Sequence, residues 1–346
     1  MNIIRGVDQA PLTPLENRVT AVLGFGNQGA AHALNLRDSG LDVVVGNRAD
    51  SANGRRCRDA GFAVRTLEEA TAAADLVIIG LPDDVQPDVL PERVIPHLRP
   101  GATVGFIHGF AVRYRLVDIP PAFGIIMVAP KGPGATLRAR YLEGYGLPCL
   151  FAVEQDNASG TARELALAWG AGLGGATCGL IEATFADETE TDLFGEQAVL
   201  CGGMTALIVA AFETLVDAGY PPELAYIECC HEVKQVADLV FERGLAGMRK
   251  AISTTAEFGA YAAGPRVVND DVRDTLRALL AEIRDGTFAR SMRADSVAGA
   301  RWSDARRREG AAHPIESAGA TVRSLLPWLD DASAAQSSNT SGPDDR

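Results

Sequence analysis

The segment RVTAVLGFGNQGAAHALN, residues 18–35, leaves a chain little freedom in what it can become. A short β-branched run leads directly into Gly24, Gly26 and Gly29 in G-x-G-x-x-G spacing, and a helix-forming stretch follows. The first glycine permits a tight turn, the second lets backbone approach a pyrophosphate, and the third lets the helix pack closely on the strand. Backbone amides of the loop Gly24, Phe25, Gly26, Asn27, Gln28 and Gly29 would then face the phosphates, where the helix dipole favours negative charge. In a chain with 36 glycines the spacing alone is weak; at the first strand-to-helix junction it predicts a dinucleotide site.

From residue 18 to 153 the chain alternates short β-branched runs (18–23, 42–46, 75–80, 103–108, 124–129 and 148–153) with amphipathic stretches such as 30–39 and 67–74. That rhythm predicts a Rossmann-type α/β fold, a doubly wound parallel sheet with right-handed crossovers. After residue 181 the strand-like runs stop, and 3.6-residue periodicity takes over in 187–217, 222–243, 244–262 and 270–285. Gly219, Pro221 and Pro222 mark the end of one helix and the start of the next, and Asp270 and Asp271 read as an N-terminal cap. A length of 346 residues exceeds what one core serves efficiently. The expected division is a dinucleotide-binding domain over 1–181, an all-α domain over 182–328, and a disordered polar tail over 329–346.

Bulk properties narrow the function. A net charge of −13 argues against nucleic acid, whose phosphates need a basic face. The longest charge-free runs, 165–181 and 197–212, are short or glycine-broken for a membrane span of about 20 residues, so no membrane segment is expected. Residues 1–14 lack the apolar stretch of a secretory signal, which points to the cytoplasm. Cys57, Cys149, Cys178, Cys201, Cys229 and Cys230 form no CxxC pair and read as reduced packing thiols.

Several predicted strand ends carry polar groups, and open α/β sheets bind ligands at those ends. The second strand is followed by Arg48, Ser51, Arg55 and Arg56, where sites selective for NAD present an acid; cations and a hydroxyl there favour the 2′-phosphate of NADP, and Asp50 pulls the other way. Leu81, Pro82, Asp83 and Asp84 follow the third strand, His108 and Gly109 the fourth, Pro130 and Lys131 the fifth. In DETETDLFGEQ, Asp192 and Glu196 share a helix face with Glu188 one turn earlier; Glu228 and Glu232 repeat the spacing beside His231. Like charges so placed cost stability unless offset, and clustered carboxylates suit a hard cation such as Mg²⁺. The apolar neighbours Leu193, Phe194, Ala198, Val199 and Leu200 favour a half-buried helix over a solvated acidic face.

Taken together, GFGNQG, VAPKGPG, DETETDLFGEQAVLCGG, ELAYIECCHE and EFGAYAAGPRV resemble the ketol-acid reductoisomerases in their short, class I form, over residues 15–328. The resemblance implies a bifunctional enzyme of valine, leucine and isoleucine synthesis. It would convert 2-acetolactate or 2-aceto-2-hydroxybutyrate to the 2,3-dihydroxy acid with NADPH and two Mg²⁺ ions. It further implies that Asp192 and Glu196 hold the metals, Asp192 bridging them, and that Glu228 and Glu232 are supplied across a homodimer. That dimer is the minimal active unit, and higher homo-oligomers stay open. His108 takes a catalytic position with Asp192, Glu196 and Glu232, and Ser253 contacts the substrate carboxylate. Lys131 and Gly134 lie beside the cofactor, Arg48 and Ser51 on its phosphate, and Asn53 where a serine usually touches that phosphate. The helical domain would be the family's knotted fold.

The sequence departs from the family pattern at Ala30 and Ala135, where histidine is usual, at Ala111 and Arg113 in HGFAVRY, and at Asn53. Two further readings stay open: a paralogue acting on a different 2-hydroxy-3-keto acid, including a reductase without isomerase activity, and a catalytically idle NADP-binding protein.

Overall fold

The structure, a computed structural model, describes residues 2–329, so the expected disordered tail lies outside the described residues save for Leu329. The chain divides into two compact units, one ending at Thr191 and the other beginning at Asp192. This places the division within the helix Phe185–Gly195 rather than at residue 181.

The first unit is built on nine strands among the described residues: β1 (Ile3–Ile4), β2 (Val19–Leu23), β3 (Asp42–Gly46), β4 (Val64–Arg65), β5 (Leu76–Ile79), β6 (Thr103–Phe106), β7 (Gly124–Pro130), β8 (Cys149–Gln155) and β9 (Leu180–Glu182). Their order in the sheet is β1-β9-β8-β7-β6-β5-β2-β3-β4. All six predicted runs are strands, and β2 to β7 pair in parallel, as expected of a doubly wound sheet. β8 departs from that pattern by running antiparallel to β7, with Pro130 opposite Cys149, and β1 is antiparallel to β9. The physical reason direction was invisible is that β7 is buried on both faces; a continuous apolar run reads alike in either orientation.

Each face of the sheet carries its own core. On one side Val22, Ile78, Ile126 and Val128 pack with Leu36, Leu165 and Trp169; on the other Leu23, Val77, Phe106 and Met127 pack with Leu90, Ala111 and Phe185. A polar pair sits inside the first: Trp169 Nε1 donates to His32 Nδ1 at 3.1 Å, and burial pushes the His32 pKa down to about 3, so the imidazole is neutral there. The two sheet directions diverge from β2 and β5, which makes their carboxyl ends the topological switch point where ligands of such sheets bind.

The second unit is helical, with Gly203–Asp217, Pro222–Tyr226, Glu232–Ala251, Thr254–Val267, Asp270–Arg284, Thr287–Val297, Arg301–Ala311 and Pro314–Arg323. Two of the predicted continuous helices are interrupted by π turns, Glu196–Leu200 and Ile227–His231; Gly244, at φ 67°, falls on the predicted boundary between 222–243 and 244–262, and that last stretch breaks at Ile252 and Ser253. The cap before Asp270 is Asn269, whose side chain accepts from Val272 N at 3.1 Å; Asp270 and Asp271 occupy the first turn instead. One hydrophobic cluster of the unit gathers Phe212, Ala225, Ile315 and Ala318. Large apolar side chains stand exposed on the single chain, among them Leu207 at 55%, Phe241 at 91% and Phe258 at 76%. The helical stretch Phe185–Asp217 is, by length and composition alone, long and apolar enough to cross a membrane, which the charge-free runs did not indicate. It also carries Asp187, Glu188, Glu190, Asp192 and Glu196, and the exposed apolar face calls for a cover of some kind.

Candidate active site

The three loop glycines are required for different reasons. A Cβ on Gly24 would lie 2.7 Å from the Gly80 carbonyl oxygen, and one on Gly29 would lie 2.3 Å from that of Gly24, so both close approaches are demanded by the fold. A Cβ on Gly26 would meet nothing within 4 Å. The open space at Gly26 lies at the N-terminus of the helix Asn27–Asp38, which has no side-chain cap, so the first backbone N–H groups have no side-chain acceptor and an anion suits them.

Phe25 turns inward, 3% exposed and edge-on to Phe62 at 5.8 Å, leaving only its backbone to the loop. Gln28 Nε2 donates to the Gly132 carbonyl at 2.9 Å, tying the glycine loop to the turn after β7. Gly134, expected beside a cofactor, packs directly on the glycine loop: a Cβ there would lie 2.1 Å from the Asn27 carbonyl oxygen. Past β3, Ser51 caps the helix Ala52–Asp59, accepting from Gly54 N at 3.0 Å and donating to the Arg48 carbonyl at 2.7 Å. Asn53 accepts from Arg56 and the Asp50 carbonyl from Arg55, while Arg48 and Asp50 are exposed on this rim. Of the departures from the family pattern, Ala30 and Ala111 are buried core positions and Ala135 is exposed.

Residues that follow β6 and β7 converge on Glu188, the acid that the spacing set one turn before Asp192 without giving it a role. Glu188 is 1% exposed and receives Lys131 Nζ at 2.7 Å, the Gly109 amide at 3.1 Å and His108 Nδ1 at 3.0 Å. Burial opposes its charge, but the hydrogen bonds and charges of His108 and Lys131 outweigh burial and hold its carboxyl at about 2. With three donors on it, the Glu188 carboxylate organises the residues around it. Asp83, steadied by Gln86 Nε2 at 3.0 Å, behaves oppositely: burial pushes it up to about 6, His108 opposing and the Glu188 and Asp84 charges adding to the rise. A signal for Glu188 was present, since Phe185, Thr189 and Leu193 recur at helical spacing and are all buried, which sets Glu188 at the border of a buried stripe.

The helix bearing Glu188 is fixed at its start by Thr184 and Asp187, each bonding the other, and by Phe185 edge-on to Phe106 at 6.3 Å. Arg113 Nε and Nη2 both reach Glu190 Oε1, at 2.9 and 2.7 Å. Asp192 follows Glu188 by one turn of the same helix, and Glu196 opens the first π turn. Glu228 lies inside the second π turn and Glu232 directly after it; π turns recur at functional sites because they re-aim side chains. These four carboxylates are an all-oxygen donor set that fits a hard divalent cation. No group of three or more potential ligands forms wholly within the helical unit among the described residues. Ser253 caps the helix Thr254–Val267, its oxygen accepting from Ala256 N at 3.1 Å, so its own proton stays free to donate.

Two family profiles cover the chain. One, described as the NADPH-binding domain of acetohydroxy acid isomeroreductase, matches residues 14–179, and the other, the C-terminal domain of ketol-acid reductoisomerase, matches 185–328. This chain belongs to the ketol-acid reductoisomerase family. A solved NADH-preferring ketol-acid reductoisomerase from an uncultured archean is 39% identical over 94% of this chain and 99% of its own, with a TM-score of 0.91. More distant structures share the fold alone. A semialdehyde dehydrogenase NAD-binding protein from Cupriavidus necator is 18% identical with TM-score 0.58, and a putative oxidoreductase from Jannaschia sp. CCS1 is 16% identical with TM-score 0.57; they cover 78% of this chain and 99% and 97% of their own. As a ketol-acid reductoisomerase, the chain is an NAD(P)-dependent enzyme with oxidoreductase and isomerase activity, its Rossmann unit receiving the nicotinamide cofactor.

Proposed function

We propose that this enzyme acts in the cytoplasm on 2-acetolactate and 2-aceto-2-hydroxybutyrate, forming the 2,3-dihydroxy acids of branched-chain amino acid synthesis with NADPH and two Mg²⁺ ions. The observation that carries this reading is the buried Glu188, gripped from the ends of β6 and β7 one helical turn before Asp192. Asp192 and Glu196 hold the ions on one chain. When bound, the ions stabilise the alkoxide left by the tertiary alcohol and polarise the carbonyl.

The protein's own groups divide the remaining work. His108 Nδ1 is committed to Glu188, which orients the ring, and the imidazole exchanges a proton with substrate. Lys131 keeps Glu188 charged, the Ser253 hydroxyl donates to the substrate carboxylate, and the Gly26 opening takes the pyrophosphate. Purified protein with NADPH, Mg²⁺ and racemic acetolactate should oxidise the cofactor, and a 3-hydroxy-2-keto acid should be reduced as well. Reduction of the second substrate only would make the enzyme a reductase without isomerisation; turnover of neither would favour the paralogue on another hydroxyketo acid.

For the coenzyme, exposed Arg48 supports NADPH, whereas exposed Asp50 and the NADH-preferring relative lean the other way. A charge-assisted contact to phosphate is worth roughly 1.5–3 kcal/mol, so Arg48→Ala should raise KM for NADPH at least about tenfold and leave KM for NADH unchanged. An unaltered NADPH KM removes the assignment.

The functional unit in this reading is a homodimer in which the partner subunit's Glu228 and the partner subunit's Glu232 complete the metal site. Its support is the apolar surface of the helical unit, exposed on the single chain.

A further inference from the structure

We propose that Arg113 is a positioning residue, setting the roll of the helix Phe185–Gly195 about its axis and so the direction in which Asp192 projects. The inference rests on the metal reading of Asp192 above.

Glu188 and Glu190 are two positions apart, which on an α-helix is about 200° around the axis, so they leave it on nearly opposite sides. Both are nevertheless gripped by one short stretch of chain, residues 108–113. On one side His108 and the Gly109 amide hold Glu188; on the other, Arg113 places two nitrogens on Glu190 Oε1. A helix held on both sides resists rolling more than one held on one side alone.

The hook itself is rigid. A Cβ on Gly109 would stand 2.3 Å from Thr189 Oγ1, so the hook already lies against the helix with no slack. The Arg113 guanidinium sits 5.3 Å over the Tyr114 ring, which meets Phe110 edge-on at 5.0 Å. The Arg113 and Glu190 side chains are 26% and 18% exposed, so solvent screens the pair less than a surface one.

Asp192 lies about 40° around from Glu188, one turn on. With side-chain ends about 5–6 Å from a helix axis, a roll of about 10° carries its carboxylate about 1 Å, enough to spoil a coordination geometry that tolerates roughly 0.2 Å. Arg113 therefore acts on the metal through helix orientation, without touching it.

The test compares Arg113→Gln, Arg113→Lys, Glu190→Arg and the Arg113→Glu/Glu190→Arg exchange with the unaltered enzyme. Each is saturated with nicotinamide cofactor and titrated with Mn²⁺ by electron paramagnetic resonance. Arg113→Gln should weaken Mn²⁺ binding at least tenfold and lower kcat with cofactor KM unchanged. Arg113→Lys should recover part of the loss, and the exchange should bind Mn²⁺ more tightly than Glu190→Arg. Unchanged Mn²⁺ affinity in Arg113→Gln, or an exchange no better than Glu190→Arg, overturns the proposal. Asp192→Asn is the control for the underlying reading: if it too binds Mn²⁺ normally, the metal assignment fails, whereas loss in Asp192→Asn with none in Arg113→Gln refutes only the positioning role.

Discussion

Asparagine in place of Asp192 should lower turnover of acetolactate and of a 3-hydroxy-2-keto acid at least about 10³-fold while cofactor binding stays near normal. Metal-assisted stabilisation of developing charge is worth several kcal/mol, and each ~1.4 kcal/mol is a factor of ten in rate. The substitution keeps the shape of the side chain and removes only the charge. The grip on Glu188 by Lys131, Gly109 and His108 lies one turn earlier and survives. The glycine loop belongs to the first unit and Asp192 to the second, so dinucleotide affinity, read by fluorescence titration, isolates the metal effect from misfolding. Activity within tenfold of the unaltered enzyme would end the metal mechanism proposed here.

The double variant Phe241→Glu/Phe258→Glu should sediment as a monomer and lose at least about 10²-fold in activity. Two exposed phenylalanines, 91% and 76% accessible on the single chain, stand on the helical unit. A contact that buries such side chains gains roughly 1.5–3 kcal/mol from each, and a glutamate in the same place adds the cost of burying an unpaired charge. If the partner subunit's Glu228 and the partner subunit's Glu232 complete the metal site, dissociation removes half of the ligands. A stable, fully active monomer would defeat the homodimer, and a dimeric variant would place these two side chains outside the interface.

Much of the architecture could be read from residue order. The β-branched runs became β2, β3, β5, β6, β7 and β8, and the glycine spacing lies at the switch point it implied. β1, β4 and β9 were missed because two or three residues carry no periodicity. The π turns were equally silent, since one extra residue turns the apolar stripe without erasing it. In the site, Asp192, Glu196, Glu228 and Glu232 were conspicuous as spaced acids, whereas the role of Glu188 depends on Lys131 and His108, 57 and 80 positions away. The Arg113 to Glu190 pair spans 77 positions, and no local pattern announces a contact of that kind.

The unequal surroundings of the three loop glycines bear on descent as well as on binding. Gly24 and Gly29 answer to the fold, because any side chain there collides with backbone at 2.7 and 2.3 Å, whereas Gly26 faces open space. A lineage that lost its coenzyme would keep the first and third glycines under the same pressure as before, while the second drifted to alanine or serine without structural penalty. The middle glycine is therefore a record of use: it persists for as long as a pyrophosphate must pass close to it.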